Sequence, residues 1–411
     1  MEKIIIQLKR VELIGLYMLF FFLPFLKVPK NIGLFLFILG ALSWRLLDKN
    51  IRWRKPDTFE LLLILFVLIS AISTLLNWPF PKGISGFKDS LTITAIGLIV
   101  YNFRFQPSQI TNLVNLFLFG AVIGLGYGYY EYHMGISKYF EYKNMSVAET
   151  ATITAIALAI SISVILDSTA KIELNKKMIY GALSILFFSC LVAMGNRSGL
   201  LGFSLFFLYL LLFGKKNYKL YLSAVILVGL TATVIFLSNE KFSSRISHIF
   251  STEISMESGF KFNSNDTHRF NHWELAVAQF KLEDNKLFGI GPRNFPSIDI
   301  AALNEKSEDL NLKKFTHLHA HNMYLNKLVE EGIFGLAILA ILFGYGLVKI
   351  WQSQILHNDW ITTTGLAAII IPMIAGIFYA PYIREVAWVS FLFIALAANK
   401  NNNQVLNQRL S

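Results

Sequence analysis

Charge is what this sequence has least of for its length. Asp, Glu, Lys and Arg supply 15% of its 411 residues, where soluble domains carry roughly a quarter. A soluble fold of this size would need polar faces on most of its helices. The chain lacks the residues to build them, and a soluble globular protein is excluded. Cysteine is almost missing. Cys190 stands alone inside an apolar run, so no internal disulfide forms and the residue reads as a small packed hydrophobe. Alternation of apolar and polar residues with period two is also missing, which argues against a transmembrane barrel. No small-residue cleavage site follows the first apolar run, which exits through Leu26-Lys27-Val28-Pro29-Lys30. That run is therefore expected to stay as a first helix, not to be removed as a signal peptide.

The chain has hydrophobic length instead. It is 55% hydrophobic and 14% aromatic, and apolar runs of about 16 to 22 residues recur along it, the length that crosses a bilayer. With no water to satisfy the backbone, such runs must be helices. Spans are expected near 11–26, 32–47, 58–77, 88–103, 110–130, 147–166, 178–195, 198–214, 220–237, 333–350, 361–380 and 386–398. The reading predicts an all-α polytopic integral membrane protein of about twelve transmembrane helices. Residues 1–237 hold the first nine spans, 238–332 form one large, partly helical external loop, and 333–411 hold the last three spans and a tail.

Basic residues set the orientation. Both termini and the alternate short loops on their side hold 18 Lys and Arg, against 7 in the short loops opposite. The termini are thus expected in the cytoplasm and the long loop outside. The net charge of +11 is largely this topology signal, which removes the case for a nucleic-acid partner and leaves membrane lipid. Within the loop, Asp266 or Thr267 is placed to cap a helix through Trp273, Leu275, Val277 and Phe280. Gly289-Ile290-Gly291-Pro292 reads as a turn. His321 to Glu331 reads as an amphipathic helix entering the tenth span, with Tyr324, Leu325, Leu328 and Val329 on its apolar side.

Six of the eight histidines fall in that loop: His248, His268, His272, His317, His319 and His321. Histidine exchanges a proton near neutral pH without special tuning. The run Thr316-His317-Leu318-His319-Ala320-His321-Asn322 admits three readings. It is a metal site, with His268 and His272 at i, i+4 adding ligands; or it presents a single catalytic histidine; or it is a solvated polar stretch. Arg197, in Gly195-Asn196-Arg197-Ser198-Gly199, interrupts two apolar spans at the external surface, where an arginine either snorkels or binds something. Arg269 opens the loop helix and Arg293 follows the glycine turn. Arginines beside a histidine suit a phosphate ligand, since guanidinium pairs bidentately with phosphate and keeps its charge. A lipid diphosphate lies at that height. In glycosyl transfer from it, arginines stabilise the leaving charge and a histidine accepts the acceptor hydroxyl's proton.

The segment His319-Ala320-His321-Asn322-Met323-Tyr324-Leu325, continuing Leu328-Val329-Glu330-Glu331-Gly332-Ile333-Phe334-Gly335-Leu336, resembles the signature of the O-antigen ligase and polymerase superfamily. So do Asn196-Arg197-Ser198-Gly199 at the start of a span, and Arg269 ahead of Trp273 followed by Lys286-Leu287-Phe288-Gly289-Ile290-Gly291. The resemblance covers about residues 180 to 345. It implies an inverting, metal-independent glycosyltransferase without cofactors, at the periplasmic face of a Gram-negative inner membrane. The donor it implies is a glycan on undecaprenyl diphosphate. Arg197 and Arg269 carry over as diphosphate-binding residues, with Arg293 a further candidate for the same role. His321, directly before the asparagine, carries over as the catalytic base; His319 and then His317 stand behind it, because the family pattern does not include them. The leading expectation is an O-antigen ligase delivering polysaccharide to lipid A–core. The alternative is an O-antigen polymerase joining repeat units on the same carrier. A secondary transporter ranks below both, since the expected spans hold almost no charge at mid-membrane.

Overall fold

The computed structural model describes residues 2–48, 55–79, 82–103, 105–143, 145–167, 173–213, 264–306, 318–357, 359–380 and 385–410. The expected span at 220–237, the first part of the external loop with Arg245 and His248, and also His317 and Arg384, lie outside the described residues. The described residues are helical with no strand. In chain order the helices are α1 (Glu2–Phe22), α2 (Lys27–Leu47), α3 (Thr58–Leu76), α4 (Gly83–Asn102), α5 (Pro107–His133), α6 (Val147–Leu166), α7 (Leu174–Met194), α8 (Arg197–Phe213), α9 (Ser264–Leu282), α10 (Ile300–Lys306), α11 (Met323–His357), α12 (Trp360–Ala375) and α13 (Glu385–Leu410), with a 3-10 turn at Phe295–Ser297 before α10.

Among the described residues seven helices are long and apolar enough to cross a bilayer: α2 to α7, and α11 over Met323–Ser353. Shorter apolar helices are α8, α12 and Glu385–Asn399 of α13. Helix α1 carries Lys9, Arg10 and Glu12. Its acid is not left bare: Glu12 accepts from Trp44 Nε1 at 2.5 Å and pairs with Arg45 at 3.0 Å. The chain is a multi-pass membrane protein of helices; the described residues hold seven candidate spans and three shorter apolar helices, and they do not establish twelve spans.

Local chemistry accounts for the helix ends. Asp57 and Glu60 form a capping box at the start of α3, at 3.1 and 2.8 Å, and Ser146 with Glu149 repeats it at α6. Pro107 begins α5, where its missing N–H costs nothing. Close packing uses small residues, as expected where lipid supplies no hydrophobic drive. A Cβ on Gly15 would sit 2.3 Å from Phe37 N, so α1 and α2 meet backbone to backbone. Alanine-rich α6 is the most enclosed span and packs on α7, α8 and α12.

These contacts sort the helix ends. A Cβ on Gly199 would meet Ala151 at 2.9 Å and one on Gly202 the Ile371 carbonyl at 2.8 Å. The start of α8 therefore lies beside the start of α6 and the end of α12. The start of α11 joins them: Met323 N donates to Gly376 O at 2.7 Å and Tyr324 Oη to Met373 O at 2.8 Å. At the opposite end Lys349 donates to Tyr101 Oη at 2.5 Å and faces Asp57 at 3.8 Å, while Asn399 holds the Val100 carbonyl at 2.7 Å.

The loop helix expected after Asp266 runs over Ser264–Leu282, and the glycine turn is present. A small second core joins Leu275, Ala276, Phe295, Ile300, Ala320 and Val329. The amphipathic helix differs in two ways. It starts at Met323 and is continuous with the tenth span, with a kink at Gly332 (φ 69°, ψ −166°). Its polar side is not solvated: Asn326, Lys327, Glu330 and Glu331 are buried. The reason is tertiary. Residues 286–294 lie along the kink, with Ile333 N bonded to Lys286 O and Gly291 N to Glu330 O. Ser73 Oγ of α3 reaches the carbonyls of Phe288 (2.6 Å) and Glu330 (3.1 Å).

Candidate active site

The histidine run folds into an elbow at the start of α11. His321 has φ 50°, the left-handed region that histidine visits more readily than most residues. Neighbouring N–H groups are tied down. Ala320 N donates to Asn326 Oδ1 at 3.1 Å, His321 N to His319 Nδ1 at 3.1 Å, and Tyr324 N and Leu325 N to Asn322 Oδ1 at 2.9 and 3.0 Å. Asn322 thus caps α11. The His321 ring lies 4.2 Å from that of His319 and 4.8 Å, at 90°, from that of His272. On its far side His319 faces Tyr379 at 6.2 Å.

His272 comes from α9 and is 3% exposed. Arg269 precedes it by three residues, so the two share a helix face, and Arg269 is half-buried. Helix α9 therefore carries Arg269 to within a turn of the residue that touches His321. The Trp273 indole N–H, next in sequence, is buried with no acceptor among the described residues.

Arg197 is the first residue of α8 and is exposed. Gly195 ends α7 in the left-handed conformation (φ 61°), and Asn196 Oδ1 accepts from Gly199 N at 3.0 Å. The guanidinium is thus presented by a two-residue turn between two rigid helices, in no ion pair among the described residues. It stands at the same end of the bundle as the elbow, because Gly202 packs on Ile371 and Gly376 on Met323. Arg197, Arg269, His319 and His321 all belong to that end.

Arg293 is held by α4. Its guanidinium lies 2.6 Å from Asp89 and 3.0 Å from Ser85, both on α4. Its backbone takes φ 60°, and its N–H and that of Phe295 donate to the buried Glu330 carboxyl. Lys327 pairs with Glu331 at 2.5 Å. Asp89, Arg293, Lys327, Glu330 and Glu331 line a cavity of about 30 Å³ that reaches the elbow through Met323 and Asn326. Sequence reading did not single out Asp89, Asn326, Lys327, Glu330 or Glu331. The Lys327/Glu331 spacing of i, i+4 was the available signal, and it reads equally as a solvated pair. His272 stood only in the metal reading. Among the described residues no three His, Cys, Asp or Glu side chains are grouped to hold a metal ion.

Among the described residues, arginines and a histidine elbow stand at one end of this multi-pass helical membrane protein. Residues 182–340 match the family described as O-antigen ligase. That segment contains Arg197, Arg269, Arg293, His319 and His321. No curated protein matches the chain.

Proposed function

We propose that this protein is an O-antigen ligase, transferring a finished O-polysaccharide from undecaprenyl diphosphate to a sugar of lipid A–core, at the periplasmic face of the inner membrane. The observation that carries the reading is the gathering of Arg197 and Arg269 at the end of the bundle where His321 projects beside His272. Negative charge builds on the diphosphate as its bond to the anomeric carbon breaks. Arg197 and Arg269 stabilise that charge in place of a metal ion. His321 takes the proton of the incoming hydroxyl as the new C–O bond forms on the opposite face of the sugar, inverting the anomeric centre. Holding two lipid-linked partners at one membrane surface supplies much of the remaining rate. Arg293, engaged by Asp89, serves in this reading to fasten the glycine turn to α4.

The glycolipids of a deletion strain test the choice between ligase and polymerase. Loss of a ligase leaves long polymer on the lipid carrier and bare lipid A–core. Core carrying a single repeat would instead identify a polymerase with the same donor chemistry.

A further inference from the structure

We propose that His319 is a positioning residue for His321, acting through its Nδ1 as the acceptor of a turn, and that it is not itself the base. The inference rests on the reading of His321 as the base. The His321 N–H donates to His319 Nδ1 at 3.1 Å. A side-chain acceptor bonded to the N–H two residues on is what Asn and Asp do in an Asx turn. Histidine Nδ1 occupies the same place on its side chain as asparagine Oδ1, one bond beyond Cγ.

The bond has two consequences. It commits the Nδ1 lone pair, so the ring's proton sits on Nε2 and neither nitrogen is free to accept another. It also holds His321 at φ 50°, a conformation that costs about 1–2 kcal/mol without support. The other elbow bonds, from Ala320 to Asn326 and from Met323 to Gly376, fix the chain on either side. The His319 bond acts on the N–H of His321 itself. The Tyr379 ring lies 6.2 Å from that of His319, and the His272 ring 4.8 Å from that of His321.

The test uses the purified full-length protein in detergent with a lipid-diphosphate-linked glycan and a lipid A–core acceptor. His319→Asn keeps an acceptor at the Nδ1 position; His319→Gln places its amide at the Nε2 position; His319→Ala has neither. His319→Asn is expected to stay within about threefold of the parent in kcat, with the acid limb of the pH profile unmoved. The Gln and Ala variants are expected to lose about 10- to 100-fold in kcat with little change in KM, the scale of a 1 Å misplacement. Activity in the Gln variant with none in the Asn variant overturns the proposal, as does full activity in the Ala variant. Equal loss in all three overturns it too, since the imidazole itself would then be required. A live His321→Asn beside a dead His319→Asn sinks a different claim, the assignment of His321 as the base. Should His319→Ala fail to accumulate, the Asn and Gln pair decides alone.

Discussion

At His321 an imidazole is offered from a backbone conformation most residues avoid, and its ring packs near those of His319 and His272. In the proposed mechanism replacing it with Ala removes the base, which is expected to lower kcat by about 10²- to 10⁴-fold. On the same proposal Arg197→Ala removes a stabilising charge and is expected to cost about 10²- to 10³-fold. Both proteins should still be inserted in the membrane in normal amount, because Arg197 is exposed and the elbow keeps its other bonds. Transfer of radiolabelled glycan by purified protein measures the loss, and wild-type transfer should be unchanged by chelator. Activity lost in chelator and restored by zinc would favour the metal reading of the histidine run. Arg197 was legible as a candidate because it interrupts two apolar spans, and Arg269 and His321 because they stand in motifs of the long loop. The bond between His319 and His321 was not legible, because residue order gives no sign of which nitrogen faces the backbone. The pairing of Arg293 with Asp89 was hidden for a plainer reason: the two lie some two hundred positions apart.

Among the elements, α11 departs most from what hydropathy implies. Its apolar stretch and the glycine turn at 289–292 could be read from composition, and so could the helix through Trp273. The charges Lys327, Glu330 and Glu331 read as a water-facing side, yet they are buried beneath residues 286–294 and α3. Nothing local reports a contact such as Ser73 with Phe288. The kink at Gly332 follows from the same contact. A Cβ there would lie 2.3 Å from the Leu287 backbone, at a φ of 69° that L side chains rarely adopt. Gly332→Ala is therefore expected to cost at least ~1–3 kcal/mol, read as a lower thermal midpoint in detergent. Gly344, on the same helix, meets nothing within 4 Å, and Gly344→Ala should be neutral or stabilising by ~0.5–1 kcal/mol. The ion pair of Lys30 on α2 with Glu385 on α13 is enclosed, with side chains 4% and 15% exposed. Lys30→Met alone leaves a buried carboxylate and is expected to cost about 3–5 kcal/mol, whereas Lys30→Met with Glu385→Leu should recover most of it. The same unfolding measurement separates the two.

For the whole molecule, the proposed chemistry needs one geometric fact above all: the end that carries Arg197 and His321 must face away from the cytoplasm. The basic residues predict it. Charge counts govern orientation through short loops, and the helix ends sort consistently with the count. Lys176 of α7 lies at the end opposite Arg197 on the neighbouring α8, because α7 runs from Leu174 to Met194 and turns directly into Arg197. Ser137 follows the end of α5, and Leu318 precedes the elbow and is 69% exposed. The chain's single cysteine makes the orientation measurable. In a Cys190→Ala background, Ser137→Cys and Leu318→Cys should react with a membrane-impermeant maleimide added to intact spheroplasts. Lys176→Cys should react only once the membrane is opened or inverted. Labelling of Leu318→Cys from the cytoplasmic side alone would put the histidine elbow where no periplasmic acceptor can reach it. Lipid-diphosphate transfer at the outer face would then be physically impossible for this chain, whatever the activity of its arginine and histidine variants.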